Sequence, residues 1–283
     1  MNRCVCFKHV LQSMDMAATA AAMRVVKNSS SLTAVNMYYP YGAPLSLLLL
    51  DLLAAGLASG LATRLRKLTG IAVEAACADQ QLQALRQGTG LTHLDISGGH
   101  LQDCPAVEVA AALQAMPRLT RLHMRSCNLQ SQRVVAALAS ALRPLTQLQH
   151  LCLSGSRLGE AGAASLAPAL SAMPGLQTLD VSSSYLREAA GAKALCTLLG
   201  AVLRLTHLDV NNNVLWDEGA ALLLCCRASC ACRSSTCATY TLVTGGWPCS
   251  LHPLQRYSTS THWTCVALVR PSPSTCKQYS STQ

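Results

Sequence analysis

The sequence predicts an α/β fold built from a repeated unit, in which a short strand is followed by a turn and a helix. Three observations predict it. A leucine-rich pattern recurs five times, successive copies start 28, 29, 28 and 29 residues apart, and apolar residues at helical spacing lie between the copies. A unit of this length cannot bury its apolar face alone, so stacked neighbours have to supply the core.

The strand half of each unit reads Leu-x-x-Leu-x-apolar-x-x-(small or Asn)-x-Leu. Alternation of apolar and polar residues in its centre is typical of a strand that buries one face. The five copies begin at Leu91, Leu119, Leu148, Leu176 and Leu205. The small-or-Asn position holds, in the same order, Gly99, Cys127, Ser156, Ser184 and Asn213.

The helix half of each unit carries apolar residues ten and six positions before the next start. A spacing of four residues places two side chains on one face of a helix. The pairs are Val109 and Leu113, Leu138 and Leu142, Leu166 and Leu170, and Leu195 and Leu199. These segments are rich in Ala, which has the highest helix propensity and leaves room for close stacking.

The alternation of 28 and 29 residues resembles the leucine-rich repeat family, ribonuclease-inhibitor-like subclass, over residues 91–226. The resemblance implies a horseshoe-shaped solenoid with parallel β-strands on the concave face and helices on the convex face. In that family the small-or-Asn position usually holds Asn or Cys, and only Cys127 and Asn213 match. We therefore expect an incomplete ladder of hydrogen bonds from side chains to backbone, and an array of modest stability.

The N-terminal flank predicts two further regions. Residues 1–44 contain four basic residues and runs of Ala and Ser, and they are expected to form a flexible or targeting extension. Residues 45–90 predict a helical N-terminal cap with a degenerate repeat around Leu65 and Leu68. The apolar stretch from Leu45 to Ala62 favours a buried capping helix, because Asp51 near its middle would cost about 2.5–3.5 kcal/mol in a membrane span. Contact with a membrane is the less favoured alternative.

The five repeats end at residue 226. Arg227 stands where the helical pattern of the fifth unit requires an apolar residue, and no leucine-rich start follows. Residues 227–283 are rich in Cys, Ser and Thr and contain no acidic residue, so they predict a disordered tail.

The composition limits the class of partner and the cellular compartment that we expect. The net charge of +9 belongs to the flanks, because residues 91–226 hold nine basic and nine acidic side chains. Tyr185 and Trp216 are the two aromatic residues of that range, too few for a platform that stacks nucleic acid bases. We expect a protein partner, no nucleic acid and a monomer. The fifteen Cys, without a convincing secretory signal, indicate reduced thiols and the cytoplasm. The alternatives are the cytoskeleton or axoneme, or an organelle if residues 1–40 are a transit peptide.

The outward strand positions predict the binding surface. Their side chains project from the concave face because alternate residues must enter the core. The expected partner-binding residues are His93, Asp95, Arg121, His123, Arg125, His150, Asp180, His207 and Asp209. Asp95, His123 and Cys152 fall in one row, as a metal or nucleophile set would, but a polar concave surface brings such residues together by chance. No catalytic motif is present, and we expect no cofactor, metal site or enzymatic activity.

Three classes of function follow. The first is a non-enzymatic scaffold that binds a protein on its concave face. The second is a GTPase-activating regulator, since the Ran GTPase-activating proteins share this repeat subclass; their typical acidic C-terminal tail contrasts with the basic tail here. The third is a truncated fragment without independent activity. Inhibition of a ribonuclease is disfavoured, because gripping a basic enzyme requires an acidic surface and Arg121 and Arg125 lie in the concavity.

Overall fold

The strands of the protein form one parallel sheet whose order follows the chain. The computed structural model describes residues 3–6, 24, 32–36, 64–71, 82–83, 85–99, 101, 106–202 and 205–213. Within these ranges the strands are β1 Arg3–Cys6, β2 Leu32–Asn36, β3 Lys67–Thr69, β4 His93–Asp95, β5 Arg121–His123, β6 His150–Cys152, β7 Thr178–Asp180 and β8 His207–Asp209. The helices of the same ranges are α1 Ala106–Gln114, α2 Gln132–Leu142, α3 Gly159–Leu170 and α4 Glu188–Ala201.

The core lies between the sheet and the helices and is continuous from one turn to the next. The central residue of every strand from β4 to β8 is a Leu that enters it, and these residues pair in register across the sheet. They are Leu94, Leu122, Leu151, Leu179 and Leu208, each at most 3% exposed. Neighbouring helices also pack on one another, α1 on α2, α2 on α3 and α3 on α4. The α/β solenoid predicted from the repeat is thus confirmed.

The sheet extends on the N-terminal side of the five repeats. β3 pairs with β4, and Leu65, Leu68 and Ile71 around it are buried in the common core. β2 pairs with β3, and β1 pairs with β2. The last two strands lie within residues 1–44, for which the sequence predicted a flexible or targeting extension. Their short apolar alternation carries no leucine pattern, so the repeat search did not detect them.

Several sequence predictions concern residues outside the described ranges. They are the capping helix or membrane contact from Leu45 to Ala62, the helix of the fifth unit, and the disordered tail at 227–283. Within the described ranges, no helix combines the length and the apolar character needed to cross a membrane.

The small-or-Asn side chains form a continuous ladder across four turns. The donors and carbonyl acceptors are Cys127 Sγ to Ile96 (3.3 Å), Ser156 Oγ to Met124 (2.6 Å), Ser184 Oγ to Leu153 (3.4 Å) and Asn213 Nδ2 to Val181 (2.9 Å). Ser156 Oγ also accepts the backbone N–H of Cys127 at 3.1 Å. The expectation of an incomplete ladder was therefore wrong for both serines, because the turns are close enough for a hydroxyl to make the bond.

Two glycines allow the helices to approach the preceding loop. A Cβ added at Gly191 would lie 2.6 Å from the backbone carbon of Leu186, and one at Gly162 would lie 2.9 Å from Leu158 Cδ1. Gly162 and Gly191 occupy equivalent positions in the first turn of α3 and α4. The last Leu of each strand pattern can therefore pack directly under the start of its helix.

The ladder predicts a specific loss of stability in Ser156→Ala. The change leaves the N–H of Cys127 and the carbonyl of Met124 without this partner in a fully buried site, at a cost of about 1–3 kcal/mol. Urea unfolding of the full chain measures it. Ser156→Cys should recover part of the loss, because a thiol makes this bond at Cys127. Ser140→Ala, at an exposed position of α2, is the control and should change stability by less than about 0.5 kcal/mol. Equal stability of the Ser156→Ala and Ser140→Ala variants would contradict this role of the ladder.

The glycines of α4 offer a matched pair. Gly191→Ala should destabilise the protein by about 1–3 kcal/mol, because the new methyl group meets backbone that cannot move aside. At Gly200 an added Cβ meets nothing within 4 Å, so Gly200→Ala should be neutral or stabilising by up to about 1 kcal/mol. Thermal unfolding of both variants provides the comparison. Loss of stability at both positions would show that helix geometry, rather than the contact with Leu186, limits α4.

Candidate functional site

The outward side chains of β4–β8 lie in two rows that run across the sheet. The parallel register aligns equivalent positions of consecutive strands, and neighbouring strands are about 4.8 Å apart. The first row is His93, Arg121, His150, Thr178 and His207. The second row is Asp95, His123, Cys152, Asp180 and Asp209. The structure thus brings eight of the nine expected partner-binding residues into two adjacent rows.

Arg125, the ninth expected residue, follows β5 and reaches toward the second row. Its Nε donates to Cys152 Sγ at 3.0 Å, and Cys152 Sγ donates to Asp180 Oδ2 at 3.0 Å. The other oxygen of Asp180 accepts the hydroxyl of Ser182 at 2.7 Å. This chain of bonds holds Arg125 and Asp180 in defined positions on the concave face.

The two rows separate opposite charges. Lys67 of β3 pairs with His93 and extends the first row, which then contains basic side chains at five of six positions. The second row contains the three carboxylates of Asp95, Asp180 and Asp209. The first row, a basic stripe whose permanent cations are Lys67 and Arg121, therefore lies beside an acidic stripe.

The row of Asp95, His123 and Cys152 exists as the sequence predicted, but its chemistry is unsuited to a nucleophile. Burial, and then the hydrogen bond to Asp180, raise the pKa of the Cys152 thiol to about 11. The thiol therefore keeps its proton at neutral pH, and only the thiolate is strongly nucleophilic. In the part of the chain that the structure describes, no group of three or more His, Cys, Asp or Glu side chains is placed to hold a metal ion.

The cysteines of the described residues differ in whether they form a disulfide. Cys127 and Cys152 are buried thiols, and both donate hydrogen bonds. Cys196 on α4 is disulfide-bonded, which corrects the expectation of reduced thiols at that position.

Three histidines of the concave face favour their neutral form. Burial lowers the pKa of His93, His123 and His150 below the ordinary value of 6.5. The cation of Arg121 is the next cause for His93 and His150. At His123 the carboxylate of Asp95 opposes the effect, while Arg125 and Arg121 add to it. The first row is therefore a region of positive potential in which histidines resist protonation.

A second exposed feature lies in the loops beyond the strands. Tyr185 is 47% exposed, and two guanidinium groups lie over its ring, that of Arg157 at 5.8 Å and that of Arg187 at 5.3 Å from the ring centroid. Asn128, Arg157 and Tyr185 occupy the same loop position in successive turns, each with a positive φ. This row was not among the predicted binding positions, because those were strand positions only. The spacing of the residue that follows the small-or-Asn position would have located it.

The sequence is similar to proteins that contain leucine-rich repeats. No family model matches it. Over 143 residues it is 34% identical to the NACHT, LRR and PYD domains-containing protein 5 of Bos taurus, covering 50% of this chain and 13% of that protein. Over 155 residues it is 32% identical to the ribonuclease inhibitor of Sus scrofa, covering 54% of this chain and 34% of the inhibitor. Over 123 residues it is 33% identical to the human leucine-rich repeat-containing protein 73, covering 42% and 39%. In each case the match spans less than two thirds of the relative.

The fold is similar to that of a solved leucine-rich repeat structure. The leucine-rich repeat-containing protein LegL7 from Legionella pneumophila superposes with a TM-score of 0.56 and 19% identity, covering 84% of this chain and 73% of LegL7. The repeat spacing, the strand order and these similarities together make the chain a leucine-rich repeat protein. More narrowly, its repeats are of the ribonuclease-inhibitor-like subclass.

Removal of the Arg121 charge should change the titration of its neighbours. In Arg121→Gln the pKa of His93 and His150 should rise toward 6.5, because the strongest charge that opposes their protonation is lost. Histidine NMR titrations measure the shift, and Arg133→Gln on α2 is the control. Unchanged histidine titrations in Arg121→Gln would contradict the proposed potential.

The same histidines predict how stability depends on pH. In the native protein their pKa values lie below those of the unfolded chain. The unfolded chain therefore takes up protons first, and stability should fall as the pH drops below about 6.5.

Proposed function

We propose that this chain is a non-enzymatic scaffold that binds a protein partner on its concave face. The observation that carries the proposal is the pair of rows: Lys67 and Arg121 lie in the first, the carboxylates of Asp95, Asp180 and Asp209 lie in the second, and equivalent positions of neighbouring strands are about 4.8 Å apart. Complementary charges on a partner would set its orientation along the rows. The binding residues in this proposal are the nine predicted from the sequence, together with Lys67.

The strand array supports such a surface because it holds the side chains rigidly. Arg121 and Arg125 are exposed, while the residues beside them, Leu122 and Met124, are fully buried. A rigid backbone reduces the ordering cost of binding, since few main-chain angles have to be fixed. Arg125 is further restrained by its bond to Cys152.

Two considerations favour binding over catalysis. The Cys152 thiol, the strongest candidate nucleophile of the concave face, holds its proton at neutral pH. The relatives named above are described by their repeats or, for the porcine protein, as a ribonuclease inhibitor. We do not extend ribonuclease binding to this chain, because its first row would repel a basic enzyme.

The size and composition of the surface set its expected affinity. The six strands from β3 to β8 span roughly 24 Å, and their outward positions lack the Trp and Tyr residues that dominate many interfaces. We expect a dissociation constant on the order of micromolar, weakened by salt. The proposal includes a monomeric scaffold and a cytoplasmic location.

The proposal is tested by reversing the two exposed Arg charges. Arg121→Glu with Arg125→Glu should abolish capture of the partner from native lysate, since both side chains face the proposed interface. Quantitative mass spectrometry of proteins captured on the immobilised full chain provides the measurement, and crosslinking then shows which residues contact the captured protein.

A double variant on the convex side is the matched control. Arg133→Glu with Arg143→Glu, at exposed positions in and after α2, changes the net charge equally and should leave capture unchanged. Circular dichroism must show both double variants folded. Full capture by the Arg121/Arg125 variant, or equal loss in both, would place the interface outside the concave strands.

A further inference from the structure

A cleft lies on the concave face where β3, β4 and β5 meet. Its volume is about 290 Å³, and its lining includes Lys67, Thr69, His93, Asp95, Arg121 and His123. Lys67 pairs with His93 and His93 pairs with Arg121, so the three basic side chains leave adjacent strands at one level. The cleft therefore has a Lys on one side, an Arg on the other, and a His between them.

Within the part of the chain that the structure describes, neither cation of the cleft has a counter-ion. No carboxylate of these residues lies within 4.0 Å of Lys67 or Arg121, and the ion pair found among them joins Arg86 and Glu108. Asp95 lies two residues further along β4, and its Oδ1 accepts the backbone N–H of Ser97 at 3.0 Å. The formal charge of the cleft with neutral histidines is +1, from two cations and one carboxylate. A monoanion would balance it.

His93 is oriented so that one ring nitrogen remains for a ligand. The hydroxyl of Thr92 lies 3.0 Å from the carbonyl of Arg66 and 2.8 Å from His93 Nδ1, so one of the two ring nitrogens is engaged by Thr92. When the hydroxyl donates to the carbonyl, Nδ1 carries the hydrogen. Nε2 is the nitrogen left to accept a hydrogen bond when neutral, or to donate one to an anion when protonated.

The charges around His93 make its protonation sensitive to an anion. Lys67 on β3, Arg121 and His123 on β5, and His150 on β6 all oppose it, in addition to burial, which is the largest cause of its lowered pKa. Asp95 is the carboxylate of the same strand. A bound anion would offset the cations, and His93 would then gain a proton at a higher pH than in the free protein.

We propose that this cleft binds one carboxylate, that of an Asp or Glu side chain in an acidic segment of the protein partner, between Lys67 and Arg121. The inference rests on the proposed function, because it names the group on the partner that the concave face recognises. With neutral histidines, the single charge of a carboxylate balances the net charge of the cleft, whereas a phosphate dianion would exceed it. Lys67 then acts as a specificity residue that lies outside the five regular repeats.

The test uses the isotopically labelled full chain and a capped pentapeptide with one central Glu. NMR titration at pH 6.0 should show saturable shifts of the His93 and Lys67 side-chain signals, and the same peptide with Gln should produce none. Lys67→Gln should weaken binding by about threefold to tenfold, whereas Lys193→Gln on the exposed face of α4 should leave it unchanged. Affinity should increase from pH 7.5 to 5.5 in the native chain, and this increase should be smaller in His93→Gln, in which His123 is the histidine left in the lining.

Three results would overturn the inference: shifts of equal size with the Gln peptide, full affinity in Lys67→Gln, or tighter binding of inorganic phosphate than of the Glu peptide. The lysate capture described above separates this inference from the proposed function. Capture that depends on Arg121 and Arg125, without binding of the peptide, would leave the scaffold standing and remove the carboxylate site. Binding of the peptide, together with capture that does not depend on Arg121 and Arg125, would support the carboxylate site and remove the proposed scaffold function of the concave face.

Discussion

The backbone N–H and C=O groups of each turn of this solenoid form hydrogen bonds with the neighbouring turns. These bonds occur before, within and after the strands, for example from Thr120 N–H to the carbonyl of Thr92 and from Ser126 N–H to the carbonyl of Ser154, both at 2.8 Å. Beneath them, side chains from Cys127 to Asn213 bond the carbonyls of the preceding turn. Because an unpaired buried polar group is costly, consecutive turns have to keep the same register. The extra residue of a 29-residue unit is therefore accommodated between the strand and the helix.

This register also creates the candidate binding surface. Once the leucines of adjacent strands are aligned, the outward residues on either side of them are aligned as well. A charge placed at one strand position then lies beside the equivalent position of the next strand, and rows of like character form. The basic stripe from Lys67 to His207 and the acidic stripe beside it arise in this way. The balance of charges within residues 91–226 therefore coexists with a local separation of charge on the concave face.

Close packing decides the chemistry of individual groups on that surface. Cys152 occupies an outward position, yet it is only 5% exposed because its neighbours Arg125 and Asp180 lie against its sulfur. A residue that resembles a nucleophile in the sequence is in the structure a buried link between two charged side chains. Tyr185 is the opposite of the buried Cys152. Its large aromatic ring, in a loop position with positive φ, is exposed to solvent and contacts two Arg residues.

The sequence predicted the solenoid, the strands of its five regular repeats and the inward or outward direction of strand residues such as Leu122 and His123. These features follow from the alignment of apolar positions at a period of 28 or 29 residues. The hydrogen bonds between turns depend instead on the tertiary structure. Ser156 and Ser184 take the place of Asn because the backbones approach closely enough for a hydroxyl. Lys67 joins the basic row because β3 pairs with β4, although its segment lacks the leucine pattern. Such contacts depend on distances between turns, which no periodicity encodes.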